Sequence, residues 1–397
     1  MKNKSRWFIL GSLVFAQMTL CPAHALTTNS AGLVQYQSFQ SQTYTLKPWF
    51  GTNIAILTPT NSVLNATVMA QIVTALDKAY DLYRQATGRQ PTSYDPTTLY
   101  GRDAISVVSA TCGAGCGYLG FNGIEILESY FNTLYNGVAA NNQYDQVLFY
   151  ELGRNFWFYS DQLQYHSPDS DPVVTGYAVY MRFVAMDAAG VAGGPFNGYS
   201  FTTFRTTVTN LMDSYITNSS LNWSNTFRTG TAPPNPLGLG GTDLIASLLM
   251  RIGRDFGDVS FATNFWRQAA LRPAAATTQA TVDNFILTAC ATVNQNLSGI
   301  FTTTWKFPMS GSAAQEAQTR WGAPVVLHPP VAIGKGVGGT ILLKWQTQVN
   351  TAYQLQGSTN LQSWTDIGTP VTGDGAIRTV TNSTSSFTTR FFRLKLQ

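Results

Sequence analysis

Residues 144–163 read Tyr-Asp-Gln-Val-Leu-Phe-Tyr-Glu-Leu-Gly-Arg-Asn-Phe-Trp-Phe-Tyr-Ser-Asp-Gln-Leu. Leu148, Leu152, Phe156, Tyr159 and Leu163 recur at intervals of three and four, which predicts one long helix with a single apolar stripe. Its other face carries Tyr150, Glu151 and Arg154. Glu151 and Arg154 lie three apart, within reach of each other on a helix surface. The aromatic run Phe156-Trp157-Phe158-Tyr159 reads as packing.

Around this helix the composition is that of an ordered, secreted chain. The 397 residues are 44% hydrophobic and 13% aromatic, enough to bury a large core in more than one domain. Charged residues make up 11%, well under the roughly 25% of an average globular domain. The formal charge of +4 is dispersed, with no Lys/Arg run beyond the first residues, so the footprint of a nucleic-acid binder is missing. At the amino end, Lys2, Lys4 and Arg6 precede an apolar run from Trp7 to about Leu20 and the small-x-small sequence Ala23-His24-Ala25. That order predicts a signal peptide over 1–25 and a secreted, extracellular or periplasmic protein. No later segment is apolar enough to span a membrane.

Removal of that segment leaves Cys112, Cys116 and Cys290. In Cys112-Gly-Ala-Gly-Cys116 two glycines permit a tight return, and the expectation is a local disulfide; a bond from Cys290 to either member is the alternative. A metal knuckle lacks a second pair of ligands. Asp161, Asp169 and Asp171 lack the glycine and distal glutamate of an EF-hand loop. Neither a Gly-x-Ser-x-Gly motif nor a phosphate loop is present.

Residues 26–318 alternate strands (53–57, 104–109, 123–127) with helical patterns at 65–85, 243–256 and 281–293. After a linker at 319–324, residues 325–397 carry only strand and turn signals. Leu343-Lys-Trp345, Tyr353–Ser358, Asn360–Trp364 and Arg390–Leu394 read as short alternating strands of an antiparallel β-sandwich. This last segment resembles the fibronectin-type-III-like modules appended to secreted bacterial proteins.

Tyr150-Glu-Leu-Gly-Arg154 resembles the zinc-peptidase helix motif His-Glu-x-x-His. There the two imidazoles hold Zn²⁺ and the glutamate deprotonates the metal-bound water. Thr175-Gly-Tyr-Ala-Val-Tyr-Met-Arg182 is similar to the Glu-Gly-x-Ala-x-Tyr-x-Arg helix that brings the third ligand in gluzincin peptidases, notably the plant-type basic secretory proteins. The resemblance covers about residues 45–308. It implies an α+β fold, a small amino-terminal sheet followed by helices, ahead of the β-sandwich.

The resemblance places the ligand positions on Tyr150, Arg154 and Thr175 and the general base on Glu151. All three ligands are replaced. Arginine has no lone pair to donate and stays protonated. A guanidinium about 4 Å from Zn²⁺ would cost about 8 kcal/mol at an effective dielectric of 20. The expectation is therefore no metal, no cofactor and a catalytically inactive, metallopeptidase-like chain. Glu151 is then a vestigial base, and Tyr150, Arg154 and Thr175, joined by Arg182, form a polar core where the metal was. The vacated cleft can still take an extracellular peptide or glycan, with Arg154 holding a carboxylate. The rival expectation is a peptidase or other hydrolase that uses Glu151 as base through an atypical site. Nothing in the sequence identifies a group to polarise its substrate.

Overall fold

The computed structural model describes residues 27–397, apart from 29, 94–97, 259, 326–330, 348–351, 362, 375, 384–389 and 397. The expected signal peptide, 1–25, lies outside the described residues. Backbone contacts divide the chain into two compact units. One runs to Phe158 and takes in Met181–Thr202; the other comprises Tyr159–Tyr180 and Thr203–Gln397.

In the first unit, β1 (Thr27–Thr28), β2 (Val34–Gln37), β3 (Thr43–Phe50) and β4 (Ile54–Pro59) form an antiparallel meander. The helix α1 (Ala66–Thr87) crosses over to β5 (Thr98–Leu99) and β6 (Arg102–Val108), which pairs parallel with β4. β7 (Gly115–Gly117) and β8 (Ile124–Leu127) finish the sheet in the order β1-β2-β3-β4-β6-β8-β7, so that β7 is an edge. α2 (Glu128–Asn141), β9 (Gln143–Tyr144) and α3 (Val147–Asn155) follow.

The chemistry of α1 shows why these elements form. Asn65 Oδ1 accepts from the N–H of Thr67 at 2.8 Å, satisfying a donor the first turn leaves open. Met69, Ile72, Leu76, Ala79 and Tyr83 are buried at helical spacing, and Gly88 ends the helix at φ +66°. β4, β6 and β8 carry near-continuous runs of buried residues, as central strands covered on both faces do.

The single helix expected over 144–163 is not what forms. α3 stops at Asn155 and a separate turn, α4 (Ser160–Leu163), follows, while α1 with 22 residues is the longest helix described. The five stripe residues are all buried. Phe156 packs on Tyr80 and Tyr83 of α1, at centroid distances of 5.0 and 5.4 Å. Tyr159 lies 5.4 Å from Trp266 in the second unit. An unbroken helix spreads consecutive aromatics about 100° apart. The break at Phe156, whose N–H turns back to Gly153 O at 2.9 Å, lets Phe156 and Tyr159, three apart in sequence, make these contacts in different units.

The second unit continues with α5 (Val173–Ala189), whose carboxy-terminal half belongs to the first unit together with β10 (Ala192–Gly193). Then come α6 (Phe201–Thr217), α7 (Gly241–Phe256), α8 (Phe261–Ala269), α9 (Thr278–Val293) and α10 (Gly311–Trp321). Aromatic rings fill its core: Tyr177 meets Trp266 edge-on at 4.5 Å and Phe301 meets Trp305 at 4.7 Å. Cys290 is a free, fully buried thiol in α9.

The segment 319–324 begins inside α10 and ends at Pro324. Beyond it, β11 (Ala332–Lys335), β12 (Thr340–Gln346), β13 (Ala352–Ser358), β14 (Thr365–Thr372), β15 (Ile377–Ser383) and β16 (Phe391–Leu396) make two three-stranded antiparallel sheets, β11-β12-β15 and β14-β13-β16. Leu343 and Trp345 from one sheet share a core with Tyr353, Leu355 and Leu394 from the other. The fold class is thus α+β with carboxy-terminal antiparallel sheets. Where a strand was expected over 360–364, the described residues instead turn into β14: Ser358 Oγ accepts from the N–H of Leu361 at 2.9 Å, and Leu361 sits at φ +63°.

Candidate functional site

α3 is fixed from two sides. On the α1 side, Tyr83 donates its hydroxyl to Phe149 O at 2.7 Å. Gly153 lets that ring come close, since a Cβ there would lie 2.9 Å from the Tyr83 hydroxyl. On the other side Glu151 meets the edge strand β7. A Cβ on Gly115 would lie 2.9 Å from Glu151 Cγ, and one on Gly117 would lie 2.8 Å from Glu151 O. Both glycines are therefore needed for the helix to approach the strand. The expected disulfide is present: Cys112 bonds Cys116, the central residue of β7.

At Gly117 the helix does what a neighbouring strand would do. Glu151 Oε2 accepts the Gly117 N–H at 3.0 Å, and Arg154 Nε donates to Gly117 O at 3.2 Å. Arg154 Nε also lies 3.6 Å from Glu151 Oε2. Both outward backbone groups of this residue are thereby satisfied at a sheet edge.

Burial pushes the Glu151 carboxyl up to about 7, against the pull of the Arg154 guanidinium and the Gly117 N–H. Tyr150, half-buried, shares a side-chain hydrogen bond with Arg154, and burial raises its hydroxyl above the ordinary tyrosine value. Arg182 comes in from α5, 5% exposed, and donates Nη1 to Gln146 Oε1. Its guanidinium stands 5.9 Å from the Tyr150 ring centroid and 5.0 Å from that of Phe183. Asn155 closes the helix by donating Nδ2 to Tyr118 O at 2.9 Å and Gly123 O at 3.3 Å.

Tyr150, Glu151, Arg154 and Arg182 therefore stand together in the first unit. Thr175 is half-buried in the first turn of α5 and belongs to the second unit. There the following Gly176 gives way to Ile245, whose Cγ2 would lie 2.5 Å from an added Cβ.

Sequence reasoning missed four participants. Gly117 takes the helix's charged pair and Gly115 leaves room for Glu151 Cγ; the glycines flanking Cys116 were the available signal, since a strand interior rarely contains them without a close approach. Glu125, fully buried beside them on β8, accepts from Tyr36 Oη at 2.8 Å, the Phe39 N–H at 2.6 Å and Thr111 Oγ1 at 2.7 Å. Burial raises its pKa while these three donors oppose the rise. Asp103 on β6 is 3% exposed, has only the Gly123 N–H at 3.2 Å for one oxygen and leaves Oδ2 without a partner. Burial pushes it up to about 8.

This donor set does not suit zinc. Arg154 cannot coordinate, the Tyr150 hydroxyl is harder to ionise than usual, and Glu151 already holds a backbone N–H. Among the described residues no group of three or more His, Cys, Asp or Glu is placed to hold a metal ion. What the fold and the site define is an α+β domain with a closed, cation-flanked polar cluster under a sheet edge.

No protein-family model matches the chain, and no curated protein does. Among solved structures it is similar to the M60 catalytic domain of Clostridium perfringens ZmpC, determined in complex with the sialyl T antigen. That match has 14% identity over 90% of this chain and 68% of that one, with a TM-score of 0.44. The ZmpB metallopeptidase of the same organism matches at 12% identity over the same shares, with a TM-score of 0.44. A functionally unknown conserved protein from Bacillus anthracis matches at 8% identity over 85% of this chain and 71% of that one, with a TM-score of 0.43.

Proposed function

We propose that this is a secreted, catalytically inactive, metallopeptidase-like protein that acts outside the cell as a binding or structural protein. The observation that carries this reading is the engagement of Glu151 and Arg154 with Gly117, which leaves the base position occupied and puts a permanent cation at a ligand position. Arg154, part-exposed and hydrogen-bonded to the Tyr150 side chain, with Arg182 against the Tyr150 ring, suits an acidic group such as the carboxylate of an extracellular peptide or glycan. The carboxy-terminal pair of sheets serves as an accessory module of the fibronectin-type-III-like kind, and residues 1–25 as the export signal.

Metal analysis of the purified chain, with a peptidase assay and calorimetric titration of peptides bearing free or amidated carboxyl termini, tests the proposal. The expected result is substoichiometric zinc, no cleavage and binding that needs the free carboxylate. Stoichiometric zinc, with cleavage abolished by a chelator, would overturn it.

One observation favours a second reading, a hydrolase with Glu151 as general base. A carboxyl near pH 7 is well poised to accept a proton at neutral pH. Metal-independent cleavage lost in Glu151→Gln would establish that reading. Against it stands the commitment of Arg154 Nε to Gly117 O, which occupies a donor that could otherwise polarise a carbonyl.

A further inference from the structure

β7 is three residues long and lies at the edge of its sheet. Its register on β8 pairs Cys116 with Glu125, and Leu127 donates its N–H to Ala114 O at 3.0 Å. So short a strand is weakly held by its ladder alone. Two further ties secure it: the Glu151–Arg154 clasp on Gly117, and the covalent bond from Cys116 to Cys112 in the loop that leaves β6. Cys112 is exposed and Cys116 half-buried, so a solvent-borne thiolate reaches the Cys112 sulfur first. The bond therefore anchors the strand that carries Gly117 against Glu151.

We propose that the Cys112–Cys116 disulfide is a redox latch on the Glu151–Arg154 site, opened by a small-molecule or protein dithiol. The thiolate of the dithiol attacks Cys112 Sγ, forming a mixed disulfide and releasing Cys116 as thiolate. The second thiol of the reagent then displaces Cys112. The reagent is oxidised to its own disulfide by two electrons, and its two protons end on Cys112 and Cys116. With the crosslink gone, the five-residue loop regains freedom, β7 separates more often from α3, and the Gly117 backbone and Glu151 carboxylate become open to solvent and ligand. The latch is a regulation of the site proposed above and rests on that reading for its consequence, admission of a ligand. Its own test needs no ligand.

The test is amide hydrogen exchange on the full chain, oxidised, reduced with dithiothreitol, and as Cys112→Ser/Cys116→Ser. Loop-closure entropy for so short a ring predicts exchange at Gly117 on the order of thirtyfold faster after reduction. The amides of Ile105 and Val107 in β6 should stay protected. The double variant should match reduced protein and ignore the reagent. If that variant does not fold, reduced wild-type protein alone decides. Unchanged exchange at Gly117 on reduction would overturn the latch. So would equal acceleration in β6, which would make the bond a staple of the whole unit. A working latch on a chain that binds none of the peptide probes would sink the binding reading and leave the latch standing.

Discussion

Replacing Glu151 by glutamine isolates the cost of burying a carboxylate under β7. The side chain is 7% exposed and its carboxyl is pushed up to about 7 in the folded chain, against an ordinary value of 4.5. A raised carboxyl means that the native state binds the proton more tightly than the unfolded chain. The contribution of Glu151 to stability is therefore greatest below about pH 4.5, declines as pH rises to about 7, and is flat above it. At 1.36 kcal/mol per pH step, the decline amounts to about 3 kcal/mol. Glutamine keeps an oxygen for the Gly117 N–H, removes the titration, and approximates the protonated acid in shape. Urea unfolding of wild type and Glu151→Gln at pH 4.5 and 7.5 reads the difference directly, because all other titrating groups cancel between the two proteins. The two should be equally stable at pH 4.5, and the variant should be more stable by about 3 kcal/mol at pH 7.5. A gap that does not change with pH would refute the reasoning. A variant less stable than wild type at pH 7.5 would show that the Arg154 ion pair outweighs desolvation.

Asp103→Asn should likewise stabilise the chain above pH 8, by up to about 6 kcal/mol, with no effect near pH 4, because Asp103 is pushed up from 3.8 to about 8 and one oxygen has no partner; a pH series of unfolding midpoints checks this. Gly117→Ala places a methyl 2.8 Å from Glu151 O and should cost about 1–3 kcal/mol by overpacking; an unchanged melting temperature would mean that β7 does not press on α3. Arg154→Met removes the cation that holds Glu151 down. It should raise the carboxyl further and destabilise the chain at pH 7.5 by about 1–3 kcal/mol, less in the presence of Glu151→Gln, as a double-mutant cycle measures.

Periodic elements were legible in advance. α1 carries its cap, its buried face and its closing glycine in consecutive letters, and its bounds, Ala66–Thr87, fall within two residues of the expected 65–85. α7 and α9 likewise start two or three residues before the expected 243 and 281 and end at the expected 256 and 293. The break after Asn155 was not legible, since a stripe of apolar residues states that each side chain is buried and not which core receives it. Nor was the turn at 360–364, where alternation suggested a strand and the Ser358 hydroxyl fixed a turn instead.

The site divides in the same way. The spacing of Glu151 and Arg154 along one helix was enough to make them neighbours, and the lone-pair chemistry of arginine was enough to argue against zinc, because both follow from covalent structure and helical geometry. The third partner, the Gly117 backbone, lies 34 residues from Glu151 and reaches it only because β7 returns antiparallel along β8. A backbone N–H has no side-chain letter to betray its partner. The protonation of Glu151 was equally hidden, since it depends on how completely water is excluded. By itself the sequence determined which groups are present, how they are spaced along each element, and that Arg154 has no lone pair to give a metal. Tertiary structure alone decided which backbone meets which side chain and how dry that contact is, and those two facts set the charge the site carries.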